Sequence, residues 1–321
     1  MNIFVTRKIP QSGINLLEKD HSVTVSSKDR VLKKQEIIDQ AKDADGLLCL
    51  LTDTIDKEVI SSIPHLKMIA NYAVGYNNVD VSFATKKKIP VSNTPDVLTD
   101  TTAELAWALV FAVARRIVEA DSFCRDGKFT GWGPMLLLGQ DVSKKTLGII
   151  GAGRIGTAMA LKSKGFDMNV LYVDNQRNEQ LEKGVNAQKT TLSNLLKQSD
   201  IVSLHVPLTN KTQHLISEEE LSVMKDTAIL VNTSRGPIVN EKALTKALKN
   251  EWIFGAGLDV YEHEPKISDE LMQIDNVVLL PHVGSATKET RSNMADMAAE
   301  NMIAGLKGKR PPNCVNPEVF E

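Results

Sequence analysis

The stretch Lys145-Thr-Leu-Gly-Ile-Ile-Gly151-Ala-Gly153-Arg154-Ile155-Gly156 limits the fold more than any other part of the chain. A buried apolar strand runs into a glycine turn and then a helix. A lone acid, Asp174, closes the following strand, Asn169-Val-Leu-Tyr-Val-Asp174. Gly151 permits the tight turn, Gly153 lets a pyrophosphate approach the backbone, and Gly156 lets the helix pack against the strand. Arg154 and Ile155 belong to the same turn, where the helix start presents unpaired N–H groups and its positive dipole end. Asp174 is placed to accept hydrogen bonds from adenosine ribose hydroxyls. Glycine turns alone are common. Strand, turn, helix and acid in this order predict a dinucleotide-binding βαβ unit.

A chain of 321 residues is too long for one ordinary core and fits two domains. Its 38 basic and 40 acidic residues nearly cancel, and no basic block points to nucleic acid or a membrane surface. The longest apolar run, Leu105 to Ala114, falls short of the about 20 residues that span a bilayer. Met-Asn-Ile-Phe-Val-Thr6 opens directly as a strand, so no secretory signal is expected. Cys49, Cys124 and Cys314 are isolated and lack metal-ligand spacing. They read as reduced thiols of a cytoplasmic protein with no metal site.

The fingerprint begins near the middle of the chain, and a separate α/β alternation precedes it. Asn2–Thr6, Ser22–Ser26, Gly46–Leu51, Met68–Tyr72 and Ile89–Asn93 read as strands, with amphipathic helices such as Lys33–Asp43 and Asp56–Ser62 between them. A long helix follows. Its expected start is the capping-box pattern Thr101-Thr-Ala-Glu104, and it runs past Arg115-Arg116 toward Gly127. Its apolar surface, which includes Trp107 and Phe111, is wider than one domain face needs, so part of it is expected in a dimer interface.

From Thr146 six strands are expected: Thr146–Gly151, Asn169–Asp174, Ile201–Val206, Ala228–Thr233, Gly255–Val260 and Val277–Pro281. Helices begin near Arg154, Thr191, Ser217 and Asn240, and a last helix covers Lys288 to Leu306. The expected fold is α/β, with two Rossmann-like or flavodoxin-like parallel-sheet domains and a cleft between them. The first domain is discontinuous, residues 1–99 with 287–321, and residues 100–286 form the dinucleotide-binding domain.

Three further residues each sit just past a strand of the second half, where open parallel sheets bind their ligands. Arg235 follows Leu230-Val-Asn-Thr-Ser234, Glu264 follows Gly257-Leu-Asp259-Val-Tyr-Glu-His263, and His282 follows Val277-Val-Leu-Leu-Pro281. Singly, such residues are more often surface ion pairs or turn residues. Together they are the parts needed to reduce a 2-oxo acid beside a nicotinamide. Hydride arriving at a ketone carbon places negative charge on the oxygen, and a positioned acid such as His282 neutralises it. A carboxylate at Glu264 favours the charged imidazole and fixes the ring. Arg235 grips the substrate carboxylate with a bidentate fork. His205, closing Ser-Leu-His205-Val-Pro207, reads as a residue bordering the cofactor rather than a proton donor.

These motifs resemble the D-isomer-specific 2-hydroxyacid dehydrogenases over essentially the whole chain. The stretches that carry the resemblance are Asn71-Tyr-Ala-Val-Gly75-Tyr-Asn-Asn-Val-Asp80, Leu147–Gly156, Asp200–Leu208, Val231–Glu241, Gly257–Pro265 and Leu280–Ser285. Within that family, Leu48–Asp53 and Asn93–Ala106 look most like the glyoxylate/hydroxypyruvate reductases. The resemblance implies His282 as acid/base, Glu264 as its partner and Arg235 as carboxylate clamp. It also implies that backbone N–H groups of Val74 and Gly75 meet the substrate carboxylate, with Leu51 and Ser285 bordering the substrate. Thr102, Pro207, Thr233, Ser234, Asp259 and Gly284 match positions that border the cofactor.

Many glyoxylate reductases carry a small residue and then a base where this chain has Asp174-Asn-Gln-Arg177. A carboxylate at 174 repels a 2′-phosphate and pairs with a 2′-hydroxyl, so NAD(H) is favoured and NADP(H) remains possible, with Arg177 as a phosphate contact if the loop bends. The expected activity is reduction of glyoxylate and hydroxypyruvate. Alternatives are D-lactate, phosphoglycerate or a longer acid as substrate, or a dinucleotide-sensing binding protein on the same fold. The aromatic loop Gly127-Lys-Phe129-Thr-Gly-Trp132-Gly-Pro-Met135-Leu-Leu-Leu-Gly139 is costly to expose. With the preceding helix it is expected to form a homodimer interface, Trp132 reaching the neighbouring subunit's site.

Overall fold

Strands with almost no exposed residue, such as Gly46–Leu50 and Met68–Tyr72, belong in the middle of a sheet covered on both faces. The computed structural model describes residues 1–321 and places them there. The chain divides into two units. A terminal unit combines Met1–Leu98 with Ser285–Glu321, and a central unit comprises Thr99–Gly284.

The terminal unit holds β1 (Asn2–Val5), β2 (Ser22–Val25), β3 (Gly46–Leu50), β4 (Met68–Tyr72) and β5 (Val91–Ser92) in one parallel sheet. Its order is β2-β1-β3-β4-β5, the flavodoxin-like arrangement. The last helix, Lys288–Leu306, packs on the helix Gln11–Glu18 and on β4, burying Met294, Ala298 and Met302. Its N-cap is Thr287, whose hydroxyl accepts from the Thr290 amide. The chain therefore returns to its first unit because this helix supplies one cover of that sheet.

The central unit contains β6 (Thr146–Ile150), β7 (Asn169–Val173), β8 (Gln188–Lys189), β9 (Ile201–Leu204), β10 (Ile229–Asn232), β11 (Gly255–Leu258) and β12 (Val277–Leu279). Their order, β12-β11-β10-β9-β6-β7-β8, is that of a dinucleotide-binding sheet and entirely parallel. Seven strands stand where the sequence predicts six. The extra one is a two-residue edge strand whose exposed Gln188 and Lys189 carry no apolar signal. The order reverses between β6 and β9, so the glycine turn after β6 and His205 after β9 lie side by side at the switch point.

The long helix also differs from expectation. It begins at Thr99, inside which the Thr101–Glu104 pattern lies, and it stops at Ala114. Arg116 adopts a left-handed conformation (φ 51°), and a separate helix, Ile117–Arg125, follows. Trp107 and Phe111 are consumed by their own unit. Their rings cluster with Phe166 at 5.1–5.9 Å between centroids, and Trp107 Nε1 donates to Met159 O at 3.0 Å. The surplus apolar surface sits farther on. Ile117 and Val118 are half exposed, and Phe129, Met135 and Leu138 of the following loop are more so. No helix is long and apolar enough to cross a membrane.

Candidate active site

At the end of β6 the chain turns sharply at Gly151, whose φ of +96° is closed to L side chains. A Cβ on Gly156 would stand 2.1 Å from Gly151 O, so the helix Arg154–Lys162 approaches the strand only because that side chain is missing. Gly153 meets nothing on its open side, which leaves room for a bulky anion against the backbone. The N–H groups of Gly153, Ile155 and Gly156 find no acceptor in the chain, as expected of a helix start built to receive phosphate. These features fit a dinucleotide pyrophosphate.

Asp174, directly past β7, accepts from Ala152 N (2.8 Å) and Gln176 N (3.2 Å). Its carboxylate is thereby fixed beside the turn, with lone pairs left for a ribose. Arg177, three residues on, pairs with Glu182. Its Nε is shared between both oxygens of Glu182, at 2.7 and 2.9 Å, and Glu182 also accepts from Tyr172 Oη. His205 lies just after β9, with Nε2 2.9 Å from Ser203 Oγ and 3.3 Å from Met159 Sδ. Burial pushes its pKa down to about 4, so the ring is uncharged at neutral pH. Pro207 is exposed two residues on. Thr233 follows β10 with its hydroxyl buried and without a partner, an orphan that suits a polar ligand atom.

Arg235, Glu264 and His282 all belong to the central unit, past the carboxyl ends of β10, β11 and β12. His282 Nδ1 lies 2.9 Å from Glu264 Oε2. Burial works to raise the Glu264 carboxyl. The hydrogen bond and charge of His282, the Tyr261 amide and the charge of Arg235 outweigh it, and the group sits below the usual carboxylate range. Arg235 is half-buried, its Nη1 donating to Ser234 O at 2.7 Å; burial lowers its pKa, an effect opposed by Glu264. Ser234 itself is tied by N and Oγ to Asn232 Oδ1, both at 3.0 Å.

His282 has φ +57°, a conformation that costs an L residue roughly 1–2 kcal/mol. Asp259 holds the chain there, accepting from Val283 N and Gly284 N at 2.7 Å each. Burial, ahead of these donors and the charge of His282, keeps Asp259 above the ordinary carboxylate range. A Cβ on Gly284 would lie 3.2 Å from Asp259 Oδ2 and 3.4 Å from Thr102 Cγ2, which places Thr102, Asp259 and Gly284 around one point.

Sequence reasoning gave no role to Glu241 and Glu262, yet these acids staple the Glu264 loop. Glu241 N donates to Glu262 Oε2 (3.0 Å), Glu262 N to Glu241 Oε2 (3.1 Å) and Ser268 N to Glu241 Oε1 (3.1 Å). His214 Nε2 adds a contact to Glu262 at 2.6 Å. Gly236 presses so closely on Tyr261 that a Cβ there would fall 1.7 Å from Tyr261 O. The segment bearing Arg235 and the loop bearing Glu264 are thus locked in register.

Leu51, Val74, Gly75 and Ser285 belong to the terminal unit, after β3, after β4 and just before the last helix. Trp132, in the irregular loop of the central unit, is 85% exposed and does not fold back on its own chain.

A profile of the D-isomer specific 2-hydroxyacid dehydrogenase NAD-binding domain matches residues 107–284. The glyoxylate reductase of Korarchaeum cryptofilum is 54% identical over 321 residues, covering 99% of this chain and 97% of that protein. The chain belongs to the D-isomer-specific 2-hydroxyacid dehydrogenases. It is an NAD(P)-dependent oxidoreductase of that family. A crystal structure of a Thermus thermophilus protein superposes with a TM-score of 0.93 at 42% identity, covering 98% of this chain and all of the other. A glyoxylate reductase from Paecilomyes thermophila gives 0.88 at 30% identity, covering 99% of each.

Proposed function

We propose that this dehydrogenase reduces glyoxylate to glycolate and hydroxypyruvate to D-glycerate, with NADH as the favoured donor and NADPH accepted. The observation that carries the reading is the 2.9 Å contact between His282 Nδ1 and Glu264 Oε2, beside a half-buried Arg235 at the carboxyl ends of the central strands. With Nδ1 committed to Glu264, the proton for the substrate resides on Nε2. The reduced nicotinamide, when bound, supplies hydride to the carbonyl carbon. His282 delivers its Nε2 proton to the oxygen as charge builds there, and Glu264 stabilises the imidazolium before transfer. Arg235 fixes the substrate carboxylate and so aims the carbonyl. In the terminal unit, the Val74 and Gly75 amides serve as further donors to that carboxylate, with Leu51 and Ser285 bordering it.

The glycine turn with Arg154 and Ile155 takes the pyrophosphate, and Asp174 takes the adenosine ribose. Thr102, His205, Pro207, Thr233, Ser234, Asp259 and Gly284 border the rest of the cofactor. Asp174 supports NAD(H), and Arg177, the base that follows it, is paired with Glu182. The exposed apolar helix and loop from Ile117 to Leu138 support a two-fold dimer, with Trp132 reaching the neighbouring subunit. Glyoxylate, hydroxypyruvate, pyruvate and phenylpyruvate, each with NADH and NADPH, form the test. Highest kcat/KM for the first two with NADH is expected, and preference for phenylpyruvate or pyruvate refutes the substrate assignment.

A further inference from the structure

The loop after β4 has an unusual hydrogen-bond account. Ala73 O accepts from the Thr94 amide at 2.9 Å, Val74 O from Asn93 Nδ2 at 2.8 Å, and Gly75 O from Asn71 Nδ2 at 2.8 Å. Three successive carbonyls are taken, while the N–H groups of Val74 and Gly75 donate to nothing in the chain. A short segment whose acceptors are all consumed and whose donors are free is a receptor for an anion.

The side chains that consume those carbonyls are themselves fixed. Asn71 is fully buried, and its amide pairs reciprocally with that of Asn78, at 3.3 Å one way and 3.2 Å the other. Asn78 Nδ2 also reaches Leu50 O (3.0 Å) and Asp53 O (3.2 Å), so the turn carrying Leu51 joins the same network. Asp53 closes that turn by accepting from Leu50 N and Thr6 Oγ1. Asn93 is anchored through its backbone, which accepts from Asn301 Nδ2 at 3.1 Å and donates to Asn313 O at 3.3 Å. Asparagine suits each place because a neutral NH₂ must face a carbonyl. Aspartate would set an acceptor against an acceptor and add negative charge beside the anion.

We propose that Asn71, Asn78 and Asn93 are positioning residues that hold the Val74 and Gly75 amides open for the carboxylate of the 2-oxo acid. They set affinity for that carboxylate and leave dinucleotide affinity untouched. The proposal rests on the reading of this chain as a 2-oxo acid reductase, and the test separates the two.

Asn93 is the residue to alter, because it is only half-buried and lies in an irregular segment. KM for glyoxylate, the inhibition constant of oxamate, kcat and the NADH Kd are measured for wild type, Asn93→Ala and Asn93→Asp. Loss of one tether should raise KM and the oxamate constant together by about 5- to 10-fold in Asn93→Ala, the worth of one hydrogen bond. The aspartate should raise both further. The kcat and NADH Kd should stay near wild type. Equal losses in kcat, KM and NADH affinity would mean a merely structural role and overturn the proposal, as would unchanged KM and oxamate constants. In wild type, amide NMR during oxamate titration in the presence of NADH should shift the Val74 and Gly75 resonances selectively. Unmoved resonances refute the proposal even if the variants do not fold. A wild-type enzyme that neither reduces glyoxylate nor binds oxamate overturns the functional reading and, with it, this proposal. Normal glyoxylate reduction with an indifferent Asn93→Ala overturns the asparagine assignment alone.

Discussion

Replacing His205 with Asn should make the central unit less sensitive to acid. Burial lowers the ring's pKa from 6.5 to about 4, so the folded chain keeps the imidazole neutral where the unfolded chain protonates it. Above pH 7 both states are neutral and the residue is indifferent to pH. As pH falls from 6.5 toward 4 the unfolded state gains a proton that the native state refuses, and stability declines. The loss is about 2 kcal/mol at pH 5 and about 3 kcal/mol at pH 4. For a unit of this size, 2 kcal/mol corresponds to about 4–8 °C in Tm. Asparagine keeps a polar group near Ser203 and has no proton to gain. Scanning calorimetry of wild type and His205→Asn at pH 7 and pH 5 measures the effect. Whatever the substitution costs at pH 7, the variant should lose about 4–8 °C less than wild type on moving to pH 5. Parallel losses in the two proteins would refute the reasoning.

Three other perturbations test separate parts of the site. Asp174→Ser should improve NADPH use as NADH use declines. Adding Glu182→Gln should extend the gain by releasing Arg177, and an unchanged cofactor ratio in both variants would remove Asp174 from the ribose. Arg235→Lys should raise KM and lower kcat together, since a point charge cannot reproduce the fork; unchanged steady-state constants would take Arg235 off the substrate. Sedimentation should show a dimer at micromolar concentration, and Trp132→Ala should remain dimeric with impaired hydroxypyruvate reduction and relatively better use of bulkier acids. A monomer, or an unaltered substrate ranking, contradicts that role for Trp132.

Much of the fold is legible because its signals are local. The glycine turn, the six longer strands of the central sheet and the helix Lys288–Leu306 each carry their own apolar run or cap. β8 escapes detection because two exposed polar residues at a sheet edge leave no trace in hydropathy. The break at Arg116 escapes because a left-handed arginine has no sequence signature comparable to glycine or proline. At the site, Arg235, Glu264 and His282 stand out by their chemistry and their places after strands. The residues that orient their surroundings do not. The Glu241–Glu262 staple pairs carboxylates with each other's backbone across twenty-odd positions, and Asn71, Asn78 and Asn93 act through carbonyls. Such contacts depend on tertiary proximity, which neither spacing nor residue type encodes. The pairing of Arg177 with Glu182 is likewise invisible in the sequence, where Arg177 reads only as a base near Asp174.

The proposed proton donor to the substrate is His282, held by Glu264. The direct measurement is the pH dependence of kcat for glyoxylate reduction in wild type, Glu264→Gln and His282→Ala, with NADH Kd measured in parallel. His282→Ala should lose roughly 10²- to 10⁴-fold in kcat while binding NADH normally. In Glu264→Gln the imidazole loses the carboxylate that fixes it at 2.9 Å, so kcat should fall across the profile while NADH binding stays normal. A His282→Ala enzyme that retained wild-type kcat, or a Glu264→Gln profile superposable on that of wild type, would contradict the account.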